Sequence, residues 1–228
     1  MLPLLTFLLS LPATLAIDTT SRPSVNAELK LAATNLDRHH ILAKDSDWTF
    51  DFQSRPNYHA APGSVINANA ATFPALTGVG LTLATLNLGP CAMLPPHLHP
   101  RATNVVVAVK GNTTSWMVGE NGVRTVSVQL TEGVMTIFPA GTLHFMQNND
   151  CQPAQLISAL NSEDAGTLNI LNALWTFSPE TVKAAFGNAE LDTETLGQRI
   201  PQPGTGANLG SFECLKRCGL DAREGIKE

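Results

Sequence analysis

The residues in this sequence best placed to do chemistry are three histidines. His97 and His99 stand two apart in PPHLHPRATNVVVAVKG, residues 95–111, and His144 follows in GVMTIFPAGTLHFMQN. A strand alternates its side chains with period two, so His97 and His99 project to the same side of one strand. Two imidazoles so placed can hold one ion, and a third nitrogen from a neighbouring strand strengthens the site. An isolated H-x-H also arises by chance on a solvated edge. The second segment changes that balance: Gly133, Pro139 and Gly141 punctuate a strand, a tight turn and a second strand, and His144 leaves the turn able to enter the same barrel. His39 and His40 in the polar N-terminal stretch, and His59 in NYHAAPG, read as surface residues. Phe138, Phe145, Met135 and Met146 flank the second segment and read as core.

The elements that must position these histidines are short strands. DWTFDF, SVINANAA, LTLATLNLG, NVVVAVKG, TTSWMVG, VRTVSVQL, GVMTIFP, LHFMQN and AQLISALN follow one another, rich in Val, Thr, Leu and Phe, with Gly, Pro, Asn or Asp between them. That is the pattern of an all-β sandwich or barrel. The period changes after about residue 165. In FSPETVKAAFG, Ser178 is placed to cap a helix, Pro179 to open it and Gly187 to end it. LDTETLGQRI and NLGSFECLKRCGL read as two further short helices. The expected organisation is a leader at 1–16, an N-terminal extension at 17–45 with some helical spacing, a single β-barrel at 46–165 and a helical C-terminal tail at 166–228.

The 228 residues suffice for one buried core. Charged residues make up 14%, against about 25% in soluble domains generally. The net charge is −5 and no run of lysine or arginine occurs, which argues against nucleic acid as a partner. MLPLLTFLLSLPATLA carries no charged side chain and ends in small residues, so it reads as a secretory signal cut after Ala16. It is too short to span a bilayer, which needs about 20 apolar residues. The expected location is therefore extracellular, free or held in a cell wall, with no membrane association after cleavage.

Secretion bears on the cysteines. Cys91, Cys151, Cys214 and Cys218 are four in number, which suggests two disulfides with three possible connectivities. Cys91 lies six residues before His97 and Cys151 seven after His144, so the two meet if the histidine segments lie side by side. Cys214 and Cys218 are four apart and share a face of any helix there. The expected pairing is 91–151 and 214–218, with free or merely packed thiols as the alternative for the second pair. Asn112-Thr113-Thr114 is an N-x-T sequon between two apolar runs, so Asn112 is either a glycosylated or an unmodified turn residue.

The two histidine segments resemble the two sequence boxes of the cupin superfamily. The second box is complete: Gly133, Pro139, Gly141, His144 and Asn148. The first offers His97, His99 and the closing Gly111, with Gly89 near the opening position. HPRAT, NSEDAG and ECLKRCGL are similar to the secreted germin and spherulin branch. The resemblance implies a jelly-roll barrel holding one divalent metal, manganese in germins, on two histidines, a glutamate and a third histidine. It also implies oxalate oxidase or superoxide dismutase activity as precedents and assembly into homo-oligomers. His97, His99 and His144 match by position, and the glutamate position falls on Asn104.

That departure shapes the function expected. Strand parity counted straight through from His99 sends residue 104 to the opposite face, unless a bend near Pro100 re-aims it. An amide in place of a carboxylate removes a negative charge beside a dication. Three imidazoles with a neutral neighbour favour copper, nickel or zinc, whereas the resemblance points to manganese. Three readings stand. One is a secreted metal-dependent oxidoreductase acting on a small molecule, its catalytic residues unassigned. Another is a non-catalytic protein that binds or sequesters copper. The last is a metal-free barrel that acts on an organic ligand.

Overall fold

The computed structural model describes residues 18–202, 204 and 206–220. The leader expected at 1–16 lies outside the described residues. Alternation builds the barrel. In NVVVAVK, Asn104, Val106 and Ala108 are buried while the residues between them are only half-buried, as for a strand with one face on a core.

The strands in chain order are β1 (Gly63–Ala68), β2 (Thr82–Leu88), β3 (Ala92–Leu98), β4 (Asn104–Lys110), β5 (Thr113–Val118), β6 (Val126–Leu130), β7 (Met135–Phe138), β8 (Leu143–Asn148), β9 (Ala154–Leu160), β10 (Leu168–Asn169) and β11 (Asn208–Leu209). One sheet runs β1-β2-β9-β4-β7 and the other β10-β3-β8-β5-β6, with β11 also on β3. All these pairings are antiparallel. Leu86, Leu88, Val106 and Leu156 from the first sheet meet Leu94, Leu130 and Met146 from the second in one buried cluster. Two sheets closed over a shared core make the all-β jelly-roll expected from the sequence.

The helices are α1 (Pro23–Leu31), α2 (Asn35–Ile41), α3 (Ile170–Leu174), α4 (Pro179–Ala185), α5 (Thr193–Gln198) and α6 (Phe212–Arg217). Thr34 and Asp37 form a capping box on α2. Leu29, Leu42 and Ala75 join the N-terminal segment to the barrel in a second cluster. Ser178 caps α4 by accepting from Thr181 N, Asp192 caps α5 and Ser211 caps α6. The C-terminal region is more than helices, because β10 and β11 add two short strands to the edge of β3. DWTFDF, read as a strand, is instead a 3-10 turn at Asp45–Trp48 followed by loop. Its Asp47 side chain closes that turn by accepting from Lys44 N, and a turn satisfied locally offers no ladder to a neighbour.

The disulfides also differ from expectation. Cys91 pairs with Cys214 and Cys151 with Cys218, at Cα separations of 5.7 and 5.3 Å. Cys91 N donates to Asp150 O, so the two turns do lie together. But Cys214 on α6 and Cys218 just past its end face those turns, and each reaches across to one of them. Both bonds therefore tie the C-terminal segment to the barrel end.

Candidate metal centre

Two prolines aim the first histidines. Pro95 and Pro96 have no N–H to give a ladder, and the β3–β8 register shifts between Leu94 and His97. That bulge reverses parity: Leu94 and His97, three apart, are both buried. Pro95 O lies 2.7 Å from His97 Nδ1. His97 then stands directly opposite His144 on β8, their ring centroids 4.3 Å apart. His99 follows the end of β3, with Nδ1 2.7 Å from Gly166 O. The turn of the second box holds it from the other side: Thr142 N donates to Pro139 O, and Gly141 N donates to His99 O at 3.0 Å. Gly141 has φ 75°, the left-handed value that this turn requires of its third residue.

The three rings offer nitrogens within 4.8 Å of one another. His144 Nδ1 lies 2.8 Å from Thr142 O, so each ring has its Nδ1 on a backbone carbonyl. A carbonyl only accepts, so each Nδ1 carries the proton and each Nε2 keeps a lone pair. His144 Nε2 is buried with no hydrogen-bond partner. Burial pushes the pKa of His97 well below its usual value, helped by His144 and His99. Burial likewise lowers His99, and it lowers His144 to about 4. Three neutral imidazoles with fixed tautomers and an orphaned buried nitrogen are what a transition metal needs of its ligands, so the residues present fit such an ion.

Asn104 belongs to this cluster. It is buried, its Nδ2 is 3.5 Å from His99 Nε2, and its Oδ1 accepts from Ser158 Oγ at 2.5 Å. Parity counted from His99 fails here because the chain leaves one sheet after β3 and enters the other at β4. The count restarts on a strand that faces the barrel interior from the opposite wall.

The flanking residues divide. Phe138 stacks on His144 at 4.0 Å and 11°, and Met146 is buried beside the site. Phe145 stacks instead on Trp116, and Met135 is exposed. His39, His40 and His59 are all exposed. Asn148 closes the second box structurally: its Nδ2 donates to Gly89 O and Gln152 O, both at 2.8 Å, and its Oδ1 accepts from Asp150 N. Asn112 lies between β4 and β5, half-buried. Ser158 escaped the sequence reading. The signal was there, since AQLISAL places a hydroxyl at a core-facing position between Leu156 and Leu160. His97, His99, Asn104 and Ser158 line a cavity of about 810 Å³ that Asp18 and Thr19 of the N-terminal segment also line.

The cupin family profile matches residues 52–193, so the chain belongs to the cupin family, and its relatives place it with the germin and spherulin type. Spherulin-1A of Physarum polycephalum is 29% identical over 87% of this chain and 80% of its own. Germin-like protein 5-1 of Oryza sativa subsp. japonica is 36% identical over 60% of this chain and 64% of its own. Among solved structures, a recombinant oxalate oxidase in complex with glycolate superposes with TM-score 0.59 at 21% identity, over 68% of this chain and 80% of that one. An oxalate decarboxylase from Bacillus subtilis gives 0.61 at 14% identity, over 70% and 40%. At these identities the superpositions speak for the fold.

Proposed function

We propose that this protein holds one divalent transition metal per chain on His97, His99 and His144, with Asn104 beside the ion. The observation that carries the reading is the orphaned Nε2 of His144, buried in a cluster of three rings whose Nδ1 atoms all meet backbone carbonyls. A bound ion would supply a Lewis acid or a redox centre at the base of the cavity. Around it the chain fixes the imidazole tautomers, and the packed ring of Phe138 covers one face of His144.

Two metals compete. Oxalate decarboxylase, which shares the fold, is described with Mn(II) centres, and that supports manganese. The donor set supports copper, since it is nitrogen-rich and the nearby amide is neutral. We favour copper on chemistry. Secretion is part of the proposal: two disulfides suit an oxidising compartment, and no helix among the described residues is long and apolar enough to cross a membrane. Oxidoreductase turnover, of the oxalate oxidase or superoxide dismutase type, is the enzymatic form of this reading. Metal holding without turnover is its passive form.

Elemental analysis tests the site. Protein secreted into medium containing manganese, copper, zinc and iron is expected to carry about one ion per chain, and His144→Ala none. Unchanged metal in that variant would remove His144 from the site. Assays with oxalate and superoxide then separate the two forms.

A further inference from the structure

We infer that the cavity in front of the histidines takes an amphipathic organic anion: an apolar or aromatic body seated in the barrel, with one carboxylate-type head at Arg55. This deepens the metal reading, on which it rests for whatever the ligand's inner end meets.

The cavity, about 810 Å³, falls within the roughly 300–1,000 Å³ that encloses drug-sized ligands. Leu86, Leu94, Met146 and Leu160 line it together with His97, His99 and neutral polar side chains such as Asn104 and Ser158, so an apolar body finds matching surface there. Two charged side chains line it among the described residues, Asp18 and Arg55. Asp18 is already committed, accepting from Asn67 Nδ2 at 2.8 Å and Asn69 Nδ2 at 2.6 Å.

Arg55 is not committed. Its guanidinium carbon sits 4.0 Å over the Phe50 ring, a cation–π contact that holds the head in place without using its hydrogen-bond donors. Its Nε is buried without a hydrogen-bond partner. That nitrogen is closed to solvent, so an anionic head in the cavity meets instead the terminal nitrogens of the fork, which make no protein hydrogen bond among the described residues. The planar fork of the guanidinium matches a carboxylate with two parallel bonds. A diacid such as oxalate has no apolar part to set against these walls. A single anionic group on an apolar body uses both features of the cavity.

Calorimetric titration of the full secreted chain with three probes tests this. Cinnamate carries both body and charge, cinnamamide the body alone, and oxalate the charges alone. Cinnamate is expected to bind once per chain, at least about tenfold tighter than cinnamamide or oxalate, the smaller end of what a charge-assisted hydrogen bond is worth. Arg55→Gln should bring cinnamate down to the level of the amide and leave the amide unchanged, with Arg55→Lys in between. Oxalate binding as tightly as cinnamate would overturn the inference. So would unchanged cinnamate affinity in Arg55→Gln, or no saturable cinnamate binding at millimolar concentration. Metal content is read on the same samples. Loss of the metal reading appears there as absent metal, separately from the titrations.

Discussion

Ser158 Oγ lies 2.5 Å from Asn104 Oδ1, and both side chains are buried inside the barrel. A hydroxyl both donates and accepts, so the amide is satisfied at Ser158 in either of two orientations. In the first, Oδ1 accepts from Ser158 and Nδ2 points at His99 Nε2. Turned over, Nδ2 donates to Ser158 and Oδ1 faces the imidazoles. The first suits a free lone pair on His99, and the second suits a cation. Ser158→Ala is therefore expected to weaken metal affinity by roughly 10- to 100-fold, the usual effect of losing an outer partner of a metal site. Ser158→Thr should retain most of it. Competition against a chromogenic chelator measures both, and full affinity in Ser158→Ala would mean that Asn104 does not turn toward the ion.

Asn104→Glu restores a carboxylate where the cupin pattern has one. The added negative charge should shift preference toward manganese, a hard ion that rewards anionic oxygen. Mixed-metal loading followed by elemental analysis reads the shift. An unchanged metal ratio would count against Asn104 as the selector.

The metal-free protein should lose stability as pH falls. Burial holds His144 at about 4, against an ordinary value of 6.5, and lowers His97 and His99 as well. Between those values the unfolded chain binds protons that the folded chain refuses, so unfolding becomes easier with each step down. Stability is complete above about pH 6.5 and declines through pH 4, by on the order of a few kcal/mol for such a shift. Thermal unfolding of chelator-treated protein at pH 7.5, 6, 5 and 4.5 should give falling midpoints. A flat profile would show that the rings open to solvent without their ion.

The histidines were legible because H-x-H and the Pro-x-Gly turn before His144 are local signals. The strands were legible because alternation is local too, as in β4 and β9. What escaped depends on distant partners. Parity at Asn104 cannot be counted from His99, because the chain changes sheets between β3 and β4. The inward position of His97 relative to Leu94 depends on a bulge at Pro95 and Pro96, which the residue types permit without specifying. DWTFDF has strand-like residues, yet Asp47 ties it into a turn. The cysteines sat where spacing left three pairings open, and only the docking of α6 chose among them.

That choice can be read directly. Peptide mapping of unreduced protein should recover Cys91 linked to Cys214 and Cys151 to Cys218. Cys91 and Cys214 are almost fully buried, whereas Cys151 is exposed. Cys91→Ser with Cys214→Ser is thus expected to cost about 2–5 kcal/mol, and more than the equivalent pair at 151 and 218, because it also leaves hydroxyls in an apolar cluster with Leu215. Denaturant unfolding ranks the two double variants. Equal losses would mean that the buried setting adds nothing to the crosslink.

Phe138 sets the plane of His144. Their rings are 4.0 Å apart and inclined by 11°, and Phe138 is among the largest fully buried side chains of the barrel. Phe138→Ala leaves a cavity beside the ring and should destabilise the fold by about 3–5 kcal/mol. Phe138→Leu keeps much of the apolar volume but removes the flat surface. It is expected to spare most of the stability while loosening His144, which weakens metal affinity through orientation alone. Paired unfolding and chelator-competition measurements separate the two effects. Metal affinity unchanged in Phe138→Leu would show that the hydrogen bond from Nδ1 to Thr142 O orients His144 without the stack.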